Sequence, residues 1–207
     1  MSIYKLSTIL VGKEIEAKFI NINKAALIKK LKKIGAKKTF DERLLRRCVY
    51  HLPTRDKDAW ARVRDEVDKI TMTYKRITKQ SVDGMQEVEL VVDNFDNACE
   101  FLQSVGLTEK AYQETKRIRF VIESEKVEFD IDTWPALNPL LEIESDNKDV
   151  VKKYALILGF DWNDAMFGGA DLVYEKRYKI DTNWINNKCP VLKFGELPKE
   201  LQDSNLR

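Results

Sequence analysis

Charged and apolar side chains alternate in a short stretch near the N-terminus, residues 13–19. Read as a β-strand, its period of two puts Glu14, Glu16 and Lys18 on one face and apolar residues on the other. Clustered carboxylates could hold a hard divalent cation, and an ammonium beside them could hold an anion. The simpler interpretation is the wet face of an antiparallel sheet. Later strands decide between the two, because the same charged face recurs in them.

Most of the later strands carry alternating charges of a single sign. The basic side chains are Lys18, Arg62, Arg64, Lys75, Arg117 and Arg119. The acidic side chains are Glu14, Glu16, Glu87, Glu89, Glu128, Asp130, Glu142 and Glu144. Closed into a barrel, such strands would form a lumen with one basic and one acidic wall. Because buried like charges repel and lose water, this lumen needs a ligand, and a polyphosphate with Mg²⁺ or Mn²⁺ would match both walls.

Composition narrows the class of protein. The chain has 207 residues, enough for one domain with a modest appendage, and 36 basic residues nearly balance 34 acidic ones. This balance argues against a general nucleic-acid binder or membrane-surface binder. The single histidine, His51, lies in a loop-like stretch, and the three cysteines lack metal-ligand spacing, so a zinc site or histidine triad is not expected. No signal-peptide pattern or apolar run of membrane length occurs, and we expect a cytoplasmic protein.

The spacing of turn signals predicts an α+β fold, an eight-stranded antiparallel β-barrel with helices packed outside. The predicted strands cover residues 10–20, 43–52, 60–64, 69–76, 85–92, 116–122, 126–133 and 140–145. Helices are predicted at 24–34, 95–105, 147–158 and 170–179. Beyond them, the Pro- and Gly-containing C-terminal residues are expected either to fold irregularly against the body or to form a loose tail.

Taken in order along the chain, these motifs resemble the CYTH superfamily, the triphosphate tunnel metalloenzymes. Glu14-x-Glu16-x-Lys18 is similar to its ExExK signature. The similarity continues through Arg62-Val63-Arg64, Lys75, Glu87-x-Glu89, Arg117, Glu128-Phe129-Asp130, Leu141-Glu142-Ile143-Glu144 and Lys176-Arg177-Tyr178-Lys179. The resemblance spans residues 10–180, a predicted tunnel domain within residues 1–180, and leaves a C-terminal extension, 181–207, without a counterpart.

The resemblance implies a tunnel that binds a triphosphate and a divalent metal ion, Mg²⁺ or Mn²⁺. Metal ligands or their supports would be Glu14, Glu16, Asp130, Glu142 and Glu144. Phosphate-binding residues would be Lys18, Arg62, Arg64, Lys75, Arg117, Arg119 and Arg177. Tunnel-wall carboxylates would be Glu87, Glu89 and Glu128, and the catalytic roles would fall to Glu16, Lys18 and Glu144.

Members of the superfamily include inorganic and thiamine triphosphatases, RNA triphosphatases and class IV adenylyl cyclases. We therefore predict a metal-dependent enzyme that hydrolyses an inorganic or organic triphosphate, such as tripolyphosphate, ATP or thiamine triphosphate. The alternatives are an adenylyl cyclase, which converts ATP to cyclic AMP and pyrophosphate, and a non-catalytic polyphosphate binder. The motifs do not specify the substrate, the preferred metal or the oligomeric state, a homodimer included, and no nucleic-acid or membrane partner is expected.

Overall fold

The computed structural model describes residues 12–202, with side chains from residue 15 onward. The strands are β1 (Gly12–Phe19), β2 (Lys37–His51), β3 (Ala59–Asp65), β4 (Ile70–Ile77), β5 (Met85–Val92), β6 (Thr108–Ile122), β7 (Val127–Thr133), β8 (Leu140–Ser145) and β9 (Val191–Leu192). The helices are α1 (Lys24–Lys33), α2 (Phe95–Ser104), α3 (Lys148–Leu158), α4 (Asp171–Tyr178), α5 (Thr182–Asn187) and α6 (Lys199–Gln202). The predicted start of the first strand, at residues 10 and 11, lies outside the described residues.

Strands β1 to β8 close into a ring. Their order is β2-β3-β4-β5-β1-β8-β7-β6, and β6 pairs in turn with β2. Every one of these neighbours is antiparallel, and the closing pair runs from Lys37 opposite Val121 to His51 opposite Thr108. The predicted α+β fold with an eight-stranded antiparallel barrel is therefore confirmed. The short β9 adds to β6 in parallel.

Two strands are much longer than predicted. Strand β2 begins at Lys37 instead of residue 43, and β6 begins at Thr108 instead of residue 116. The register of this pair shifts between Lys38 and Phe40 and again between Phe40 and Arg43. Such shifts interrupt the alternation of apolar and polar residues, which is the sequence signal for a strand. The early part of β2 therefore lacks a period of two although it is paired.

The apolar faces of the strands point outward and lie beneath the helices. Ala17 and Phe19 of β1, like Phe129 of β7, are fully or almost fully buried in the core that α1 and α3 cover. Helix α1 is capped by Asn23, whose side chain accepts a hydrogen bond from the amide of Ala26. Because adjacent residues of a strand point to opposite faces, burying these apolar residues outside directs the charged ones into the barrel.

The chain after α4 is packed against the barrel. Ile185 of α5, Leu192 of β9 and Leu201 of α6 are buried in one core with Leu140 and Tyr174. Of the two arrangements expected for the C-terminal residues, the structure shows the packed one through residue 202. Residues 203–207 of the predicted extension lie outside the described part. Within residues 12–202, no helix is long and apolar enough to cross a membrane.

The packing of α6 predicts a stability effect from a residue near the C-terminus. Leu201 is 0% exposed, so Leu201→Ala should lower the free energy of unfolding by about 2–5 kcal/mol. Glu200, exposed on the same helix, provides the control, and Glu200→Ala should change stability by no more than about 0.5 kcal/mol. Urea denaturation measures both variants, and equal stability of the two would contradict the packed arrangement.

Candidate functional site

The barrel encloses a cavity of about 1040 Å³. Its walls come from the inward-facing residues of the strands, and α4 and α5 contribute to the lining. The cavity is lined by many ionised side chains of both signs, as the alternation of the strands predicts. A closed barrel of eight strands normally has its interior filled by side chains or by one ligand. The charges and the open volume together mark this cavity as the candidate site.

Six of the predicted phosphate-binding residues lie in the cavity wall. They are Lys18, Arg62, Arg64, Lys75, Arg117 and Arg119. All but Arg119 are at most 8% exposed. Cations this deeply buried need nearby carboxylates or a bound anion to offset the loss of water. How each one is paired therefore shows which of them is available to a ligand.

Arg117 is the most strongly paired of these arginines. Its Nε and Nη2 donate to the two carboxylate oxygens of Asp132 at 2.6 and 2.5 Å, and Nη2 also donates to Glu142 at 3.0 Å. Burial alone would lower the pKa of Arg117, but the carboxylates of Asp130 and Asp132 outweigh it and hold that pKa well above its usual value. Asp132 is 1% exposed, and burial raises its pKa despite Arg117. Sequence reasoning left Asp132 out of the site, although it follows Glu128 and Asp130 on the same face.

Asp130 supports the arginines and does not line the cavity. Its carboxylate accepts two hydrogen bonds of 2.7 Å from Arg119 and also pairs with Arg117. The side chain is 3% exposed and is absent from the lining. Asp130 was expected either to bind the metal ion or to support the groups that do. Its contacts with Arg117 and Arg119 fit a supporting role.

Glu66 supports Arg64 in the way that Asp130 supports Arg119. Arg64 Nε donates to Glu66 Oε1 at 2.8 Å, and its Nη2 donates to the same oxygen. Burial opposes ionisation of Glu66, but Arg64 and then Lys69 outweigh it and lower the pKa of this carboxyl to about 2. Glu66 lies between the predicted strands 60–64 and 69–76, in a connection where a carboxylate usually faces water. Its burial accompanies the pairing with Arg64, which the sequence pattern does not show.

The acidic wall is built by β1 and β8. The antiparallel register sets Glu16 directly opposite Glu144, and Lys18 directly opposite Glu142. Lys18 donates to Glu16, and its Nζ lies 3.3 Å from Glu142 Oε1. Burial alone would raise the pKa of Glu142, but Lys18, Arg117 and Lys75 lower it to about 2. Glu142 is therefore an ionised group at neutral pH that balances cations.

The tunnel-wall carboxylates also lie in the cavity lining. Glu87 lies 3.3 Å from Lys75 Nζ, and Glu89 lies 3.6 Å from Lys69 Nζ. Glu128 pairs with Arg119 at 2.9 Å. These carboxylates balance the charge of neighbouring cations along the wall.

Some of the cavity carboxylates are suited to hold a divalent metal ion. Among the described side chains, no group of three or more His, Cys, Asp or Glu residues is placed to hold a metal ion. The side chain of Glu14, a predicted ligand, lies outside the described residues. Mg²⁺ usually binds through one or two carboxylates and fills its other positions with water and substrate phosphates. The cross-strand pair Glu16 and Glu144, both in the cavity lining, fits that mode of binding.

Arg177, a predicted phosphate-binding residue, does not reach the cavity. It is exposed near the end of α4 and is absent from the lining, to which α4 contributes Asp171 and Tyr174. The structure therefore gives no support to its phosphate role. The neighbouring Tyr178 O–H donates to the carbonyl of Ala136 and joins α4 to the loop after β7.

Three features of the cavity have no counterpart in the sequence motifs. Asn183, Asn186 and Asn187 of α5 line it, so the C-terminal extension contributes a wall. His51 lies in the lining at the end of β2, within the predicted strand 43–52, although no role in the site was expected for it. Arg47 of β2 is a buried cation of the lining, in a strand for which no charged face was identified.

Fold and cavity together define an antiparallel barrel with a charged interior suited to a polyanion. Residues 12–157 match the CYTH domain, and the chain belongs to this family. The predicted resemblance is thus confirmed. The family comprises adenylyl cyclase-like enzymes and triphosphatases that act on triphosphates. No curated protein gives a significant match.

Several solved structures share the fold. The PH1012 protein from Pyrococcus horikoshii OT3 is 24% identical, with a TM-score of 0.62 over 73% of this chain and 93% of that one. A putative adenylate cyclase from Vibrio parahaemolyticus is 15% identical, with a TM-score of 0.65 over 79% and 98% of the two chains. A putative adenylyl cyclase from Hippeastrum, described as having a dominant triphosphatase activity, is 14% identical, with a TM-score of 0.51 over 79% and 94%.

The low pKa of Glu66 predicts how stability depends on pH. Since the folded state lowers this pKa from an ordinary 4.5 to about 2, ionised Glu66 stabilises the protein above pH 4.5, and the contribution is lost as the pH falls toward 2. Glu66→Gln should lower the free energy of unfolding by about 3 kcal/mol at pH 7. It should also weaken the dependence of that free energy on pH below 4.5, the acid limb of the stability profile.

Denaturant titrations at a series of pH values check this prediction. Glu123→Gln, at an exposed carboxylate after β6, serves as the control and should follow the wild-type profile. An unchanged acid limb in Glu66→Gln would show that the Arg64 pair does not stabilise the fold.

Proposed function

We propose that the protein is a divalent-metal-dependent enzyme that hydrolyses an inorganic or organic triphosphate held in the barrel cavity. The observation that supports it best is the composition of the cavity wall. The six predicted phosphate-binding cations of the wall, all buried or half-buried, converge there with the carboxylates Glu16, Glu142 and Glu144. Guanidinium and ammonium groups bind phosphate oxygens strongly, and hard carboxylate oxygens suit Mg²⁺ or Mn²⁺.

The cations would bind and orient the phosphate chain. Arg64 and Arg117 are held by Glu66 and Asp132, so their side chains are fixed before a ligand arrives. Donors that are already oriented stabilise the charge on phosphoryl oxygens without rearranging during the reaction. Phosphoryl transfer depends largely on such positioning and electrostatic stabilisation.

A divalent ion held by Glu16 and Glu144 would neutralise charge on the phosphate oxygens. Lys18, which lies between Glu16 and Glu142, would contact the phosphate chain and hold both carboxylates in place. Glu144 would accept a hydrogen bond from the attacking water and orient it in line with the terminal phosphorus. A P–O bond would form to the oxygen of that water, which gives up one proton to solvent, while the bridging P–O bond breaks. The attacked terminal group would be released as orthophosphate, and the remaining diphosphate part of the chain would leave with the electron pair of the broken bond.

Glu142 is unsuited to the role of general base. Its pKa of about 2 makes it a weak proton acceptor at neutral pH. Its contacts with Lys18 and Arg117 instead support a role in orienting cations. Among the described carboxylates of β1 and β8, this leaves Glu16 and Glu144 for metal binding and for orienting water.

An adenylyl cyclase is the second candidate function. Trp60 and Trp134 both line the cavity, and an indole ring could stack on a nucleobase. The structural neighbour from Vibrio parahaemolyticus is a putative adenylate cyclase. In that reaction the ribose 3′-hydroxyl of ATP attacks the α-phosphorus, and pyrophosphate leaves.

Product analysis tests the two reactions against each other. Purified protein is incubated with Mg²⁺ or Mn²⁺ and, in separate samples, tripolyphosphate, ATP and thiamine triphosphate. We expect orthophosphate to form in the presence of metal and to stop forming with EDTA. Cyclic AMP and pyrophosphate from ATP would instead establish the cyclase. Metal-independent binding of tripolyphosphate with no product would identify a polyphosphate binder.

The metal assignment predicts the effect of a single oxygen-to-nitrogen change. Glu16→Gln should reduce turnover at least about 100-fold, because an amide is a poorer ligand for a hard cation and weakens the contact with Lys18. Glu100, exposed on α2 far from the cavity lining, provides the control Glu100→Gln, which should keep wild-type turnover. Rates are measured as a function of Mg²⁺ concentration, and a Glu16→Gln enzyme with full activity would exclude this metal site.

A further inference from the structure

Arg47 of β2 is the least expected cation of the cavity. It is 6% exposed and lies in the lining, directly opposite Arg64 of β3 and Gln113 of β6 in the strand register. Its neighbour Arg46 points to the outside of the barrel and pairs with Asp65 at 3.0 Å. The two adjacent arginines therefore lie on opposite sides of the same wall.

Arg47 differs from three other arginines of the wall in its partners. Arg64, Arg117 and Arg119 each donate two or more hydrogen bonds to carboxylates. Within the described part of the chain, Arg47 contacts no carboxylate. Its Nη2 donates to the hydroxyl of Thr115, and the centre of its guanidinium lies 4.6 Å from the ring centroid of Trp134. Its Nε has no acceptor among the described residues.

Because Arg47 is buried among other cations, the absence of a contacting anion among the described residues is unfavourable for folding. Burial, and after it the positive charges of Arg62, Arg64 and Arg117, lower the pKa of Arg47 well below its usual value; the carboxylate of Asp132 acts in the opposite direction but does not outweigh them. A buried cation without a counter-charge destabilises the fold, whereas an arginine kept only for structure is normally paired. The indole Nε1 of Trp134, beside Arg47, likewise has no acceptor in the described part of the molecule. Arg47 Nε and Trp134 Nε1 are thus adjacent buried donors of the lining that lack an acceptor among the described residues.

We propose that Arg47 is a phosphate-binding residue of the cavity, held in place by Thr115 and Trp134 and paired only when an oxyanion of a polyphosphate chain is bound. The proposal rests on the proposed function for its ligand and adds β2 to the strands that contact the phosphates. Thr115 fixes one nitrogen of the guanidinium and leaves the others to the ligand. The ring of Trp134 packs against the cation and supports it without neutralising its charge.

The test compares binding by wild type, Arg47→Met and the control Arg46→Gln. Tripolyphosphate is titrated calorimetrically in buffer with EDTA, so that anion binding is measured without metal or turnover. Arg47→Met keeps the apolar stem but removes the charge. We expect its affinity to fall roughly 10- to 100-fold, since a hydrogen-bonded charge contact is lost. Arg46→Gln should stay within about twofold of wild type, as expected for an exposed pair.

Thermal unfolding without ligand separates binding from a structural role. Removing an unpaired buried charge should leave the melting temperature of Arg47→Met unchanged or raise it, whereas loss of a structural contact would lower it. If Arg47→Met does not fold, Arg47→Lys decides, because loss of the planar fork should still weaken binding several-fold. Wild-type affinity in the folded variant, or no binding of tripolyphosphate by wild type, overturns the proposal.

Turnover measured on the same protein preparations, with Mg²⁺ in place of EDTA, keeps this proposal separate from the proposed function. Weakened binding in Arg47→Met, together with a wild type that forms no product, would retain the role of Arg47 and reject the hydrolase. Hydrolysis by wild type, with unchanged affinity in Arg47→Met, would retain the hydrolase and reject the role of Arg47.

Discussion

The barrel depends on balancing charge inside a closed wall. The strand register meets this constraint by placing opposite signs across from each other: Lys18 faces Glu142, Lys75 faces Glu87, Arg117 faces Asp132 and Arg119 faces Asp130. A shift of one residue in any of these strands would turn its charges outward and its apolar residues inward. The same pairs that fix the register therefore also prepare the cavity.

This pairing divides the carboxylates into two groups. Glu66, Asp130 and Asp132 are buried and engaged by arginines, so their main effect is to hold those side chains in one orientation. Glu16 and Glu144 face each other in the lining, where a ligand can reach them. These buried carboxylates thus orient the cations of the wall through hydrogen bonds. A phosphate chain would meet donors that are already oriented, so the side chains of the wall would not have to rearrange when it binds.

Alternating charge made much of the barrel and its interior predictable. A period of two shows which residues share a face, so the lining positions of Arg62, Arg64, Glu142 and Glu144 followed from sequence. Pairing across strands does not follow, because it depends on register and closure. That is why Asp132 and Glu66 were missed as partners of arginines, and why Arg47, in a strand with interrupted alternation, was not recognised. The exposed position of Arg177, outside the lining, was not predictable for a related reason, since a basic motif does not show which side of a helix meets the barrel.

Helices α4 and α5, which follow the part of the chain that matches the CYTH domain, form part of the cavity wall. The CYTH match ends at residue 157, yet Asp171 and Tyr174 of α4 and the asparagines of α5 lie in the lining. Apart from Arg177, the cations expected to bind phosphate lie in the matched strands, as do the carboxylates expected to bind a metal ion, whereas this wall offers amides, a carboxylate and an aromatic ring. Groups of that kind interact with neutral or weakly charged parts of a molecule by hydrogen bonds and packing. The barrel strands therefore supply the groups suited to a triphosphate. The wall formed by α4 and α5 supplies the groups that would contact the rest of a substrate.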